Sequence, residues 1–101
     1  MAHRVAEDID RELDDIWLYI AKQNGSIEIA DKVVDSITGC FVALGRNPYM
    51  GRARGHDLGG GLRSFPIGSY VIVYCIEEED AAILHVFHGS RDIEGFYRHQ
   101  Q

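Results

Sequence analysis

A chain of 101 residues with 46% apolar and 26% charged side chains fits one globular domain, residues 1–101, able to bury a core without a staple. Its formal net charge of −6 excludes broad electrostatic binding to nucleic acid, which needs many cationic contacts to phosphate. No apolar run reaches the ~20 residues that span a bilayer, and the acidic start MAHRVAEDIDREL is unlike a secretory signal; the expectation is a soluble, cytoplasmic protein with no membrane partner.

The charge is uneven along the chain. Residues 1–45 carry four basic and nine acidic side chains, and residues 67–101 carry two and six. Between them, residues 46–66 hold Arg46, Arg52, Arg54 and Arg63 against Asp57 alone.

His3-Arg4-Val5 is long enough only for an edge strand. From Glu7 the apolar residues Ile9, Leu13, Ile16, Trp17 and Ile20 recur at three- and four-residue spacing, one stripe of a helix. Glu7, Asp8 and Asp10 suit its positive N-terminal end. Asn24-Gly25 tolerates the left-handed dihedrals that stop a helix, and Ser26 is placed to cap a second one. The second stripe is Ala30, Val33, Val34, Ile37, Phe41 and Leu44, ending near Gly45 because Pro48 forbids continuation. Gly39 inside it costs roughly 1 kcal/mol against Ala, and close packing there is the expected reason. So short a connection forces the two helices antiparallel.

The remainder reads as β. Arg46 to Gly61 is polar and expected as a loop. Leu62–Phe65 is a short strand, Pro66 and Gly68 form a three-residue hairpin loop, and Ser69–Ile76 is a strand apolar on both faces, hence covered on both. Glu77 to Asp80 is a solvated turn. Ala81–His88 follows, with Ile83, His85 and Phe87 expected on one face and Leu84 and Val86 on the other. The fold class is α+β: an N-terminal antiparallel helical hairpin packed on a small, mainly antiparallel sheet.

Catalytic patterns are weak. Asp14-Asp15 point apart on a helix, and Glu77 to Asp80 is soluble turn composition. His85 and His88 are three apart on a strand, so they face opposite ways and complete no metal set. Gly59-Gly60-Gly61 lacks the Lys and Ser/Thr of a phosphate loop. Cys40 and Cys75 are read as lone thiols of a reducing compartment. No metal and no cofactor is implied. Arg63 and Arg91 each stand where a strand meets a loop, able to clamp phosphate or carboxylate, or else to be tied in structural ion pairs, Arg91 with Asp92. Trp17 lies on the core stripe; Leu18 and Tyr19 fall off it and extend an apolar patch of the kind partners cover.

In this order and spacing, LDDIWLYIA (13–21), NPYMGR (47–52), GLRSFPIGSYVIVY (61–74) and ILHVFHGSRD (83–92) resemble the ParE branch of the RelE/ParE toxin superfamily over residues 3–97. The resemblance implies a bacterial type II toxin, associated with DNA gyrase inhibition and needing no cofactor. It implies a cognate antitoxin of ribbon-helix-helix type in a hetero-oligomer, through which alone DNA is contacted. Antitoxin contacts are expected at Trp17, Leu18, Tyr19, Arg52, Arg54 and Arg63, and target contacts at Arg91, Phe96 and Tyr97. The alternative branch comprises ribosome-dependent mRNA interferases, for which Arg63, Arg91, Tyr97 and His88 would be catalytic. Those enzymes usually carry an arginine after the tyrosine that corresponds to Tyr70; here the position is Val71. A degenerate, non-toxic homologue that only binds antitoxin is the third reading.

Overall fold

The computed structural model describes residues 2–99. The two apolar stripes become α1 (Ile9–Asn24) and α2 (Ile27–Arg46), joined only by Gly25 and Ser26. Gly25 takes a left-handed φ of 60°, and the Ser26 hydroxyl accepts from the Ile29 N–H at 3.2 Å. The hairpin buries Ile9, Ile16, Ile37, Phe41 and Leu44 against one sheet face, where Tyr70, Ile72, Tyr74 and Ile83 meet them.

The sheet contains β1 (His3–Val5), β2 (Arg52–Ala53), β3 (Leu62–Ile67), β4 (Tyr70–Glu77) and β5 (Asp80–His88), in the order β1-β5-β4-β3-β2. Only the β1–β5 pair is parallel, so the α+β hairpin-on-sheet class holds and β1 is an edge strand. The other face is covered by Leu58 and by α3 (Ile93–Arg98), which bury Val73 and Phe87. β4 is therefore covered on both faces, as its composition requires.

Five local expectations are corrected. Residues 46–61 are not all loop: a 3₁₀ turn (Pro48–Met50) and β2 lie within them. β3 continues to Ile67, with Pro66 paired to Val71, and the loop is two residues, Gly68 (φ 58°) and Ser69. Pro66 is tolerated because it lies beyond the end of β2, where the outer edge of β3 needs no donor. A bulge leaves Leu84 without a partner, since Tyr74 pairs with Ile83 and Val73 with His85. It turns Ile83 and Val86 to the helical face and His85 and Phe87 to the other. The acidic turn is only Glu78-Glu79, Glu77 and Asp80 being paired.

Gly39 is not a point of close packing. A Cβ there would find nothing within 4 Å, so no packing among the described residues requires it. The close approach is at Gly45 instead, where a Cβ would stand 2.8 Å from the Ala2 backbone as β1 crosses α2.

Candidate protein-binding site

Cross-strand register assembles the expected residues into two groups on opposite sheet faces. On the α3 face, Arg52 is opposite Ser64, Ser64 opposite Val73, and Val73 opposite His85. The neighbouring row is Pro66, Val71 and Phe87. Together with Met50 and Arg54, Arg52, Pro66 and Val71 line a groove of about 400 Å³.

At the far end of that row Arg91 lies over the rings of Phe87 and Phe96, 5.1 and 5.2 Å from their centroids. Asp92 does not hold it: its carboxylate caps α3, accepting from the Gly95 N–H at 2.9 Å. Arg91 and Arg52 are exposed and make no ion pair among the described residues. Phe96 and Tyr97 complete an aromatic cluster with His85 and Phe87. Among the described residues the Tyr97 hydroxyl is buried without a hydrogen-bond partner, and burial, with Glu12 and Cys75 adding to it, pushes its pKa up to about 12.

Two of the expected arginines are tied up internally. Arg54 forms a bidentate pair with Asp57 (Nε to Oδ1 3.0 Å, Nη2 to Oδ2 2.7 Å) and donates to the Ser64 hydroxyl at 3.0 Å. That pairing holds the Asp57 carboxyl below its ordinary range and folds the loop so that Leu58 reaches the core. Arg63 pairs across the strand with Tyr74 on the helical face. Its Nη2 donates to the Gly51 carbonyl at 2.6 Å and the Tyr49 carbonyl at 3.3 Å.

The four candidates for ribonuclease chemistry do not converge. Arg63 and His88 lie on the helical face, Arg91 and Tyr97 on the other. The His88 Nδ1 accepts from the Ser90 N–H at 3.1 Å, and the imidazole meets the Tyr70 ring edge-on.

On α1, Leu18 and Tyr19 are exposed, 48% and 59%. Trp17 is half-buried against the core and donates from Nε1 to Asp31 at 2.8 Å, tying the two helices together. One contact had no sequence signal. Glu12 accepts from the Val86 N–H at 2.8 Å and lies 2.7 Å from the His85 Nδ1, closing the β5 edge where β1 has ended. A carboxylate one turn into an amphipathic helix reads as solvated; only the tertiary fold brings it to β5. Both cysteines are free, and burial raises their thiol pKa values.

Residues 4–93 match the family described as ParE toxin of type II toxin-antitoxin system, parDE. The chain belongs to the ParE toxin family. It is 29% identical over 89 residues to Toxin ParE3 of Caulobacter vibrioides, covering 88% of this chain and 83% of that protein. Its fold matches the solved chromosomal ParDE TA system from P. aeruginosa with a TM-score of 0.75 at 19% identity, over 87% of this chain and 95% of that one. The toxin–antitoxin complex RelBE2 of Mycobacterium tuberculosis aligns with a TM-score of 0.56 at 23% identity, over 86% and 95%. The α+β scaffold is thus shared with both of these toxin–antitoxin structures, and the fold by itself does not decide the activity. As a ParE-family member, the chain is a type II toxin-antitoxin toxin.

Proposed function

We propose that this ParE-family toxin acts by binding protein, with DNA gyrase as its target, and is neutralised by a cognate antitoxin of ribbon-helix-helix type in a hetero-oligomer. The observation that carries this reading is the groove lined by Met50, Pro66 and Val71, with Arg52 on its wall and Arg91 lying over the buried Phe87 that continues the register row. Phosphate cleavage needs fixed positive charge and a proton acceptor at one point. Val71 supplies neither; of the four residues expected to be catalytic, Arg63 and His88 lie on one face and Arg91 and Tyr97 on the other, and the His85 Nδ1 on that second face is held by Glu12. An apolar groove with unpaired arginines beside it suits a protein surface bearing carboxylates.

Target contact is assigned to Arg91, Phe96 and Tyr97, joined by Arg52. Antitoxin contact is assigned to Leu18 and Tyr19, with Trp17 supporting them from beneath. Arg54 and Arg63 act indirectly, by holding the loop that carries Tyr49, Met50 and Arg52.

Expression of the chain alone is expected to arrest growth, and the purified protein to inhibit supercoiling by purified gyrase. Arg91→Ala should weaken that inhibition at least tenfold at unchanged folding. Undisturbed growth with soluble protein present would sink the toxin reading. Cleaved transcripts on translating ribosomes, abolished by Arg91→Ala, would replace it with the interferase.

A further inference from the structure

Glycine occurs twice late in α2, and only one occurrence is explained by the fold. Gly45 admits the Ala2 backbone, whereas Gly39 stands exposed in mid-helix with open space where a side chain would be. A mid-helix glycine lowers helix stability, so an exposed one with no internal neighbour is a local conflict between propensity and fold. What glycine offers at such a point is close approach of another backbone.

Gly39 lies in a groove of about 470 Å³ between α1, α2 and the outer edge of β1, lined by Val5, Leu13 and Val42. Val5 and Val42 are 46% and 45% exposed. Asp10 on α1 and Asp35 on α2 also line it, and neither side chain makes an ion pair or hydrogen bond among the described residues. The apolar lining, the missing Cβ and the two free carboxylates coincide. They lie within residues 1–45, the most acidic part of the chain.

We propose that this groove receives a basic amphipathic helix of a protein partner. Its apolar stripe covers Val5, Leu13 and Val42, and its backbone crosses α2 at Gly39. Lysine or arginine flanking the stripe reaches Asp10 and Asp35, their long stems lying along the apolar lining. An acidic helix is disfavoured by the same two carboxylates. Taking the neutralising antitoxin as the source of the helix rests on the function proposed above; the chemistry of the groove does not.

The test is selection from a displayed library of helical peptides with randomised flanks around an apolar stripe, using the intact chain as bait. Lysine and arginine should be enriched at the flanks. The selected peptides should lose at least tenfold in affinity on Gly39→Leu and on the Asp10→Lys/Asp35→Lys pair, and keep it on Arg52→Glu, which alters the opposite sheet face. Gly39→Leu has open space to occupy and should melt no lower than wild type; Gly39→Ala, which should melt higher, is the fallback if it does not. Enrichment of acidic flanks, or affinity indifferent to both groove variants, would overturn the proposal. Peptide binding is read separately from growth arrest and supercoiling, so a chain that selects basic helices yet leaves gyrase untouched refutes the earlier reading alone.

Discussion

The Gly51 N–H donates to the Tyr74 hydroxyl at 2.9 Å, and the same hydroxyl donates to the Pro48 carbonyl at 2.6 Å. Tyr74 is fully buried, so one side chain of β4 satisfies both ends of the 3₁₀ turn from inside the core. A Cβ on Gly51 would strike that hydroxyl and come within 2.7 Å of the Ser64 carbonyl. The turn in turn presents Tyr49 and Met50, both exposed, beside the groove that holds Arg52. A core tyrosine therefore shapes the surface proposed to bind the target.

Tyr74→Phe removes the shared partner and leaves a buried N–H and a buried C=O unpaired, a loss of roughly 2–6 kcal/mol at about 1–3 for each group. Chemical denaturation should show a lower midpoint with an unchanged slope. Gly51→Ala should be at least as costly. A Tyr74→Phe protein as stable as wild type would show that the 48–51 turn does not depend on this hydroxyl.

Most of the scaffold was legible because helix and strand periods are local. The stripes of α1 and α2, the Gly25-Ser26 break and the doubly apolar β4 all declare themselves within a few residues. The bulge at Leu84 was not legible, since one inserted residue in an apolar strand leaves composition unchanged while reversing every face beyond it. α3 was missed because six residues are too few for a periodic stripe, although Ile93, Phe96 and Tyr97 have helical spacing. At the site, residue type marked the arginines but not their availability. Arg54 and Arg63 are engaged by a loop carboxylate and two carbonyls, whereas Arg91 is left free because Asp92 is used as a cap.

The Glu12 carboxylate caps the β5 edge at Val86 and holds His85. Glu12→Ala leaves the Val86 N–H without its acceptor and should cost about 1–3 kcal/mol. Glu12→Gln keeps an oxygen for Val86 and should cost clearly less. Hydrogen exchange at the Val86 amide separates the cases: fast in the alanine variant, slow in the glutamine variant. Equal protection in both would mean that the carboxylate does not hold this edge.

Glu78 and Glu79 both have positive φ, 52° and 71°, in a two-residue turn between paired Glu77 and Asp80. Such a turn favours Asn-Gly, and each left-handed non-glycine residue costs roughly 1–2 kcal/mol. Two adjacent like charges add to the strain. Glu78→Asn with Glu79→Gly should raise stability by about 1–2 kcal/mol, which at this size corresponds to roughly 4–8 °C per kcal/mol in Tm. A melting temperature at or below that of wild type would contradict the turn geometry.

Tyr97 makes stability depend on alkaline pH. Its folded pKa, pushed up to about 12 by burial, lies above the unfolded value near 10. Below about pH 10 both states keep the proton and the full stability is present. Between about pH 10 and 12 the unfolded chain ionises while the folded one does not, so stability falls as pH rises. Tyr97→Phe abolishes this component. Because the hydroxyl has no partner, the substitution should also leave stability at neutral pH unchanged or slightly higher. Burial raises the pKa of Tyr70 as well, so the quantity to measure is the difference between wild type and Tyr97→Phe in denaturant midpoint at pH 7 and pH 11. The gap should shift in favour of the phenylalanine variant at the higher pH. A gap independent of pH would place the Tyr97 hydroxyl in contact with water, and with it the aromatic cluster proposed to meet the target.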